Sequence, residues 1–164
     1  MNLAVQVPAV CQTVIATMEL KCVFRRPRFP IICNIDGELV AGGNLQQFER
    51  RLNKISLPDN GVFAIVDATG EGWALHPDLS AISPLTLDKR WTKARVIDMF
   101  NKSLNAQRIG WQYQQRSLAN RRLEMLIRDV AELLNRAEQK LAADARKEAR
   151  LEVDVPNPVN MLGH

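Results

Sequence analysis

No glycine or proline interrupts the chain between Trp111 and Val155, and that long stretch limits the fold more than any other feature. Within it Leu123, Leu126, Ile127, Val130, Leu133, Leu134, Ala137 and Leu141 recur at three- and four-residue steps, which places them on one helical face. The spacing predicts one long amphipathic helix from about Gly110 to Val153, or two helices with a soft joint. At about 1.5 Å per residue, forty residues would extend roughly 60 Å. A compact domain is narrower, so part of the helix should project or meet another chain. On its polar side Glu124 and Arg128, Arg128 and Glu132, and Glu132 and Arg136 stand four apart with opposite signs. Each such pair contributes only about 0.2–0.5 kcal/mol, enough to keep the face soluble but not to hold the fold.

A heptad fits up to Ala137, with Leu123, Val130 and Ala137 at one seam position and Leu126 and Leu133 at the other. The next seam positions are Lys140 and Asp144, which do not suit a dry interface. The five seam residues are the expected partner interface, for self-association or a partner helix. The competing expectation is that they pack against their own domain. Beyond Leu141 the helix is Ala-rich and heavily charged, and a solvated segment is expected there.

Positive charge is a local feature of this chain. The formal net charge of the 164 residues is +4. Residues 1–88 hold seven basic and nine acidic side chains, and 123–164 hold six and eight. Between them, Lys89, Arg90, Lys93, Arg95, Lys102, Arg108, Arg116, Arg121 and Arg122 stand against Asp98 alone. Trp91, Trp111, Tyr113 and several Gln and Asn side chains are interleaved. Such a mixture can neutralise phosphates, stack on bases and hydrogen-bond to their edges. The residues expected to contact nucleic acid are therefore Lys89, Arg90, Lys93, Arg95, Lys102, Arg108, Trp111, Tyr113, Arg116, Arg121 and Arg122. Trp111 and Tyr113 are the expected stacking residues. Arg25, Arg26 and Arg28 form a second, smaller basic site around Pro27 and Pro30.

Upstream, the alternation of Met18, Leu20, Cys22 and Phe24 reads as a strand. Residues 3–17 read equally as short helix or as strand and turn. Pro30 to Ala41 reads as a hairpin about Asp36-Gly37, a dipeptide suited to a two-residue turn with positive φ at both positions. Asn44 should cap a helix, with Gln47 as capping-box partner and Leu45, Phe48, Leu52 and Ile55 as its buried stripe. Residues 62–67 and 73–76 read as a second hairpin about 68–72. Pro77 and Pro84 bracket an irregular passage. A helix is expected from about Asp88 to Asn101, burying Val96, Ile97, Phe100 and Leu104, then a short connection closed by Gly110. The fold class is thus α+β: a small antiparallel sheet of hairpins packed by helices on one face, with a long C-terminal amphipathic helix. The expected division is a domain over 1–104, a helical arm over 105–153 and a tail over 154–164. Val159, Met161 and Leu162 of the tail are candidates to dock on something.

The stretch Ile31-Ile32-Cys33-Asn34-Ile35-Asp36-Gly37-Glu38 resembles the first motif of haloacid-dehalogenase-type phosphatases, a hydrophobic strand followed by a nucleophilic Asp and Asp-Gly-Thr. The resemblance implies a phospho-aspartyl chemistry that this sequence does not support. Asn34 stands at the nucleophile position, and Glu38, which would repel phosphate, at the threonine position. Asp67 to Gly72 lacks the lysine and the spacing of a phosphate-binding loop. His76 with Asp67 and Asp78 is the one arrangement from which a hydrolase could be built, and it lacks an evident nucleophile.

Cys11, Cys22 and Cys33 form no CxxC, and the chain has two histidines, so neither a disulfide framework nor a metal site is expected. Reduced thiols, the absence of a convincing signal peptide and the lack of any membrane-spanning stretch point to a cytoplasmic protein. No cofactor is expected. The favoured function is a non-enzymatic accessory protein that contacts DNA or RNA, or a nucleoprotein complex, through 89–122 with little sequence specificity. The second is an adaptor that self-associates or binds a protein partner through the long helix.

Overall fold

Pleated strands with apolar residues on both faces decide this architecture. The computed structural model describes residues 17–58 and 60–153. The expectations for residues 3–16, Cys11 among them, and for the 154–164 tail lie outside these residues. Six strands, β1 (Lys21–Cys22), β2 (Ile31–Ile35), β3 (Glu38–Gly42), β4 (Phe63–Val66), β5 (Gly72–His76) and β6 (Ala81–Pro84), form one open sheet in the order β1-β6-β5-β4-β2-β3. The pairings are antiparallel except for β1 with β6. Four helices complete the α+β fold: α1 (Leu45–Leu52), α2 (Lys93–Asn101), α3 (Leu104–Ile109) and α4 (Leu123–Val153).

Alternation along the strands sends side chains into two separate cores. Ile31, Cys33 and Ile35 of β2, Val40 of β3, Phe63 and Ile65 of β4 and Trp73 and Leu75 of β5 meet Phe48 and Leu52 of α1. Ile32, Leu39, Ala41 and Val66 point the other way. They meet Val96, Ile97 and Phe100 of α2 and Leu126, Ile127, Val130, Ala131 and Leu134 of α4. Helices therefore cover both faces; of the options the sequence left for the second face (polar, covered by the long helix, or buried in a partner), the long helix is the one found. The unbroken apolar run Ile31-Ile32-Cys33 is the signature of a strand buried on both sides.

The β2–β3 turn has φ of 49° at Asp36 and 92° at Gly37, as an Asp-Gly hairpin requires, with Ile35 opposite Glu38. Asn34, at the phosphatase-like nucleophile position, accepts the Gly37 N–H and closes that turn. Asn44 caps α1 by accepting the Gln47 N–H, and Gln47 reaches back to the Gly43 N–H, one residue before the cap.

Four departures from the sequence reading have local causes. The strand expected from Met18 to Phe24 is only Lys21–Cys22, because Phe24 takes φ of 68° and turns the chain away. The passage between Pro77 and Pro84 is a 3-10 turn (Pro77–Leu79) followed by β6. Pro84 is tolerated there because, among the described residues, β1 pairs only with Ala81 and Ile82, which leaves β6 an open edge at Pro84. The helix expected from Asp88 starts at Lys93, with Thr92 as its cap. The preceding chain is instead extended against the β4–β5 loop: Gly72 donates to the Lys89 carbonyl and Trp91 donates to the Gly70 carbonyl. Lys89 and Arg90 therefore stand outside the helix and share no helical face with Lys93. Finally, the long helix starts at Leu123 and not near Gly110. The Asn101 side chain both donates to the Tyr113 carbonyl and accepts the Tyr113 N–H, and Trp111, Tyr113 and Phe100 pack edge to face. These contacts hold 111–114 off the helical path.

The outer edge of β3 is covered. Asn105 of α3 accepts the Leu39 N–H and donates to the Leu39 carbonyl, so a side-chain amide replaces a neighbouring strand. Arg51 of α1 donates to the Ala41 carbonyl and to Asn135 of α4, and pairs with Glu138. These bonds tie the two helical layers together around the edge.

Candidate nucleic-acid interface

Asp67 organises one end of the sheet. It follows β4 and is buried, and its carboxylate accepts five hydrogen bonds. Oδ1 takes the Thr69 and Glu71 N–H groups and the Thr69 hydroxyl. Oδ2 takes the Arg28 N–H and the Trp73 indole. The loop N–H groups that a phosphate-cradling loop would offer are thus already engaged. The same carboxylate draws the Arg25–Arg28 segment onto the β4–β5 loop, where Ala68 also donates to the Arg28 carbonyl.

That loop then receives two more segments. Its far side pairs with 89–91, and Glu71 and Arg90 form an isolated bridge. Gly70, at φ of 83°, lies under the first turn of α4. A Cβ there would stand 2.4 Å from Leu123 Cδ2, so any other residue would have to displace that side chain as well as adopt a φ that favours glycine. Three basic runs far apart in sequence therefore meet at one end of the sheet: Arg25, Arg26 and Arg28; Lys89, Arg90, Lys93 and Arg95; and Arg121 and Arg122. The N-termini of α2 and α4 lie at this end too, and their dipoles add to its positive potential.

The cations are held to different degrees. Arg25 makes a two-pronged ion pair with Glu71 and lies over the Trp73 ring, 4.8 Å from its centre. That hydrogen-bonded pairing, against the opposing effect of burial, lowers the Glu71 carboxyl below its ordinary range and raises the Arg25 guanidinium. Arg95 lies over Trp91 at 4.0 Å, and Lys93 donates to the carbonyls of Leu118 and Ala119. Arg121 pairs with Asp129. Among the described residues, the side chains of Arg26, Arg28, Lys89, Arg90, Arg116 and Arg122 have no ion-pair partner, and all are exposed.

The remaining members of the expected site do not converge here. Lys102 pairs with Asp98 within its own turn, and Arg108 of α3 pairs with Glu38 at the opposite end of the sheet. Tyr113 is buried, and burial pushes its hydroxyl up to about 12. It has no ring face to offer a base. Trp111 is 46% exposed but packs edge-on against Tyr113 with ring centres 4.4 Å apart. It lines a cavity of about 340 Å³ with Tyr113, Arg121, Arg136, Asp129 and Glu132. The two carboxylates in that lining oppose a phosphate chain.

Of the expected partner interface, Leu126 and Val130 are fully buried in the chain's own core. They cannot be offered to a partner without opening the domain. Leu123, Leu133 and Ala137 are partly buried, and every residue from 139 to 150 is exposed. His76, at the far end of β5 from Asp67, is hydrogen-bonded to Ser83 at 3.0 Å, and Asp78 lies on the following 3-10 turn. The three residues of the hydrolase reading are not brought together. Burial pushes the Cys33 thiol far up. Cys22 is also raised, by burial opposed in part by Arg26. Among the described residues no group of three or more His, Cys, Asp or Glu side chains is placed to hold a metal ion, and no helix is long and apolar enough to cross a membrane. No protein family, characterised protein or solved structure matches this chain.

The sequence separated the two basic runs by some sixty residues, and only the Asp67-centred loop packing joins them. The signal that could have found this is Asp67 itself, an acid at the end of an apolar strand and before a Gly-rich loop.

Proposed function

We propose that this protein binds nucleic acid through the cationic end of its sheet, contacting phosphates with little sequence preference. The supporting observation is the convergence of Arg26, Arg28, Lys89, Arg90 and Arg122, exposed and without ion-pair partners among the described residues, on one rigid loop assembly. A merely solvated basic helix would scatter its charges and pair them within the helix, as Lys102 does with Asp98. Here the charges come from three segments, two of which are bonded through the backbone to the β4–β5 loop, while the third is set against it by Leu123 over Gly70. Such a surface releases counterions on binding a phosphate chain, so affinity falls linearly in log–log form with salt.

The test is fluorescence anisotropy with labelled single- and double-stranded oligonucleotides across a salt series. Lys89→Glu with Arg90→Glu and Arg122→Glu should remove most of the affinity and flatten the salt slope. Wild-type binding confined to very low salt, or unchanged by these substitutions, refutes the reading.

A second reading draws on α4. Residues 139–150 are exposed on all sides, and a solvated helix of that length is only marginally stable by itself. Leu133, Ala137 and the 59%-exposed Leu141 line a cavity of about 390 Å³ beside Ile109. A partner helix could seat there. Sedimentation equilibrium of wild type and Leu141→Asp tests whether that partner is a second copy.

A further inference from the structure

Phe24 is the most exposed large apolar side chain among the described residues, at 92%. It also holds φ of 68°, in the left-handed region that bulky side chains avoid. The Arg25 N–H donates to the Val23 carbonyl and closes a tight turn about it. That turn lifts the phenyl ring clear of β1 and of both cores. Among the described residues no packing accounts for an aromatic residue in that conformation, and strain kept without a packing reason is characteristic of functional positions.

Its setting is cationic and rigid. Arg25 is fixed by Glu71 and the Trp73 face, Arg26 and Arg28 are exposed, and the Arg28 backbone is bonded to Asp67 and Ala68. Of the acids at this end, Glu71 is held by Arg25 and faces Arg90 across a backbone bridge, while Asp88 beside Lys89 and Glu124 beside Arg122 are exposed and reduce the net charge there. The ring therefore stands beside guanidinium groups on a surface continuous with Lys89 and Arg90. A ring with a free face next to phosphate-binding cations is the arrangement that stacks on an unpaired base while the backbone is neutralised. A base inside a duplex has no free face to offer.

We infer that Phe24 is a stacking residue and that the ligand of the cationic end is single-stranded nucleic acid. The inference rests on the function proposed above and adds the ligand class and a contact outside 89–122. Phe24 takes the stacking role expected of Trp111 and Tyr113.

The test compares wild type, Phe24→Ala and Phe24→Trp on three labelled twelve-nucleotide probes: a single strand, its duplex and a strand with abasic sites in place of the central bases. Stacking on one base is worth a factor of about 5 to 150. Phe24→Ala should weaken single-strand binding by that order and leave duplex binding, abasic binding and the salt slope unchanged. Phe24→Trp should retain single-strand affinity. Equal loss on the intact and abasic strands, or no loss on either, overturns the stacking role while leaving phosphate binding intact. Wild-type failure to bind any probe overturns both readings. The same Phe24 dependence on phosphatidylserine vesicles, without oligonucleotide binding, would assign the surface to lipid, and Leu87, 83% exposed, would then be a second inserting side chain.

Discussion

Asp67 Oδ2 accepts the indole N–H of Trp73 at 3.2 Å, and both side chains are buried. This one bond ties the cationic end to the core beneath it, because the other bonds to Asp67 come from Arg28 and from Thr69 and Glu71 of the β4–β5 loop, against which the basic segments pack. Replacing Asp67 with Ala leaves the buried Trp73 indole and four part-buried donors without this acceptor. The expected loss is about 3 kcal/mol or more of unfolding free energy, read by urea denaturation. Asp67→Asn should fall between, since its amide nitrogen would face a donor. Oligonucleotide affinity should fall with the Ala variant at temperatures where it is still folded, because the three basic runs lose their common anchor. An Asp67→Ala variant as stable as wild type would remove Asp67 from this role.

The Arg25–Glu71 pair makes a prediction about pH. Its hydrogen bonding lowers the Glu71 carboxyl in the folded chain. A depressed carboxylate contributes stability that is present above its unfolded value, about 4.3, and is lost as pH falls through the lower folded value. Arg25→Ala should therefore move the Glu71 titration, followed by carboxyl carbon chemical shift, upward in pH. It should also remove this pair's share of acid destabilisation, because a Glu71 whose folded value is no longer depressed loses no stability as pH falls. A midpoint unmoved by the substitution would show that the pair does not set it.

Much of the fold was legible from short-range chemistry. Asp36-Gly37 and the Asn44–Gln47 cap were readable because each is decided within four residues. The buried stripe of α4 was readable because its period is regular, but its destination was not: periodicity says that Leu126 and Val130 share a face, not whether that face meets its own sheet or another chain. The end of α2 was readable and its start was not, because Lys89 and Arg90 obey backbone bonds to Gly70 and Gly72. The cationic site was half legible for the same reason. Charge density along 89–122 is a property of sequence, whereas the addition of Arg26 and Arg28 and the loss of Arg108 and Tyr113 depend on long-range contacts.

Tyr113 is the chain's single tyrosine, so its titration can be read directly by absorbance near 295 nm. Burial, with Asp129 adding to it, holds the hydroxyl up to about 12. The unfolded phenol ionises near 10, so the raised folded value stabilises the neutral form below that pH. This contribution is lost as pH rises from about 10 through about 12. Wild type should lose stability across that window, and Tyr113→Phe should lose less. A midpoint near 10 in the folded chain would mean that the ring is accessible, restoring it as a surface for stacking.

Asn105 predicts a change in association. Its two bonds to Leu39 occupy the outer edge of β3. Asn105→Ala should cost about 1–3 kcal/mol and expose an N–H and a carbonyl to strand addition. Light scattering should show concentration-dependent aggregation in the variant near its unfolding temperature. An Asn105→Asp variant keeps the acceptor and loses the donor, so it should be intermediate in stability, while its charge opposes edge pairing.

The two halves of α4 should answer the same substitution in opposite ways. Leu126 is fully buried between α2 and the sheet, and Leu141 is 59% exposed. Leu126→Asp places a carboxylate where no cation or donor awaits it. It should cost more than about 4 kcal/mol and leave the chain largely unfolded by circular dichroism. Leu141→Asp should change stability by about 0.5 kcal/mol or less, because water already reaches that side chain. Any loss of self-association or partner capture in Leu141→Asp can then be assigned to a surface contact. A large loss of thermal stability in that variant, diluted well below any dimer concentration, would mean that the exposed half of α4 packs on this same chain.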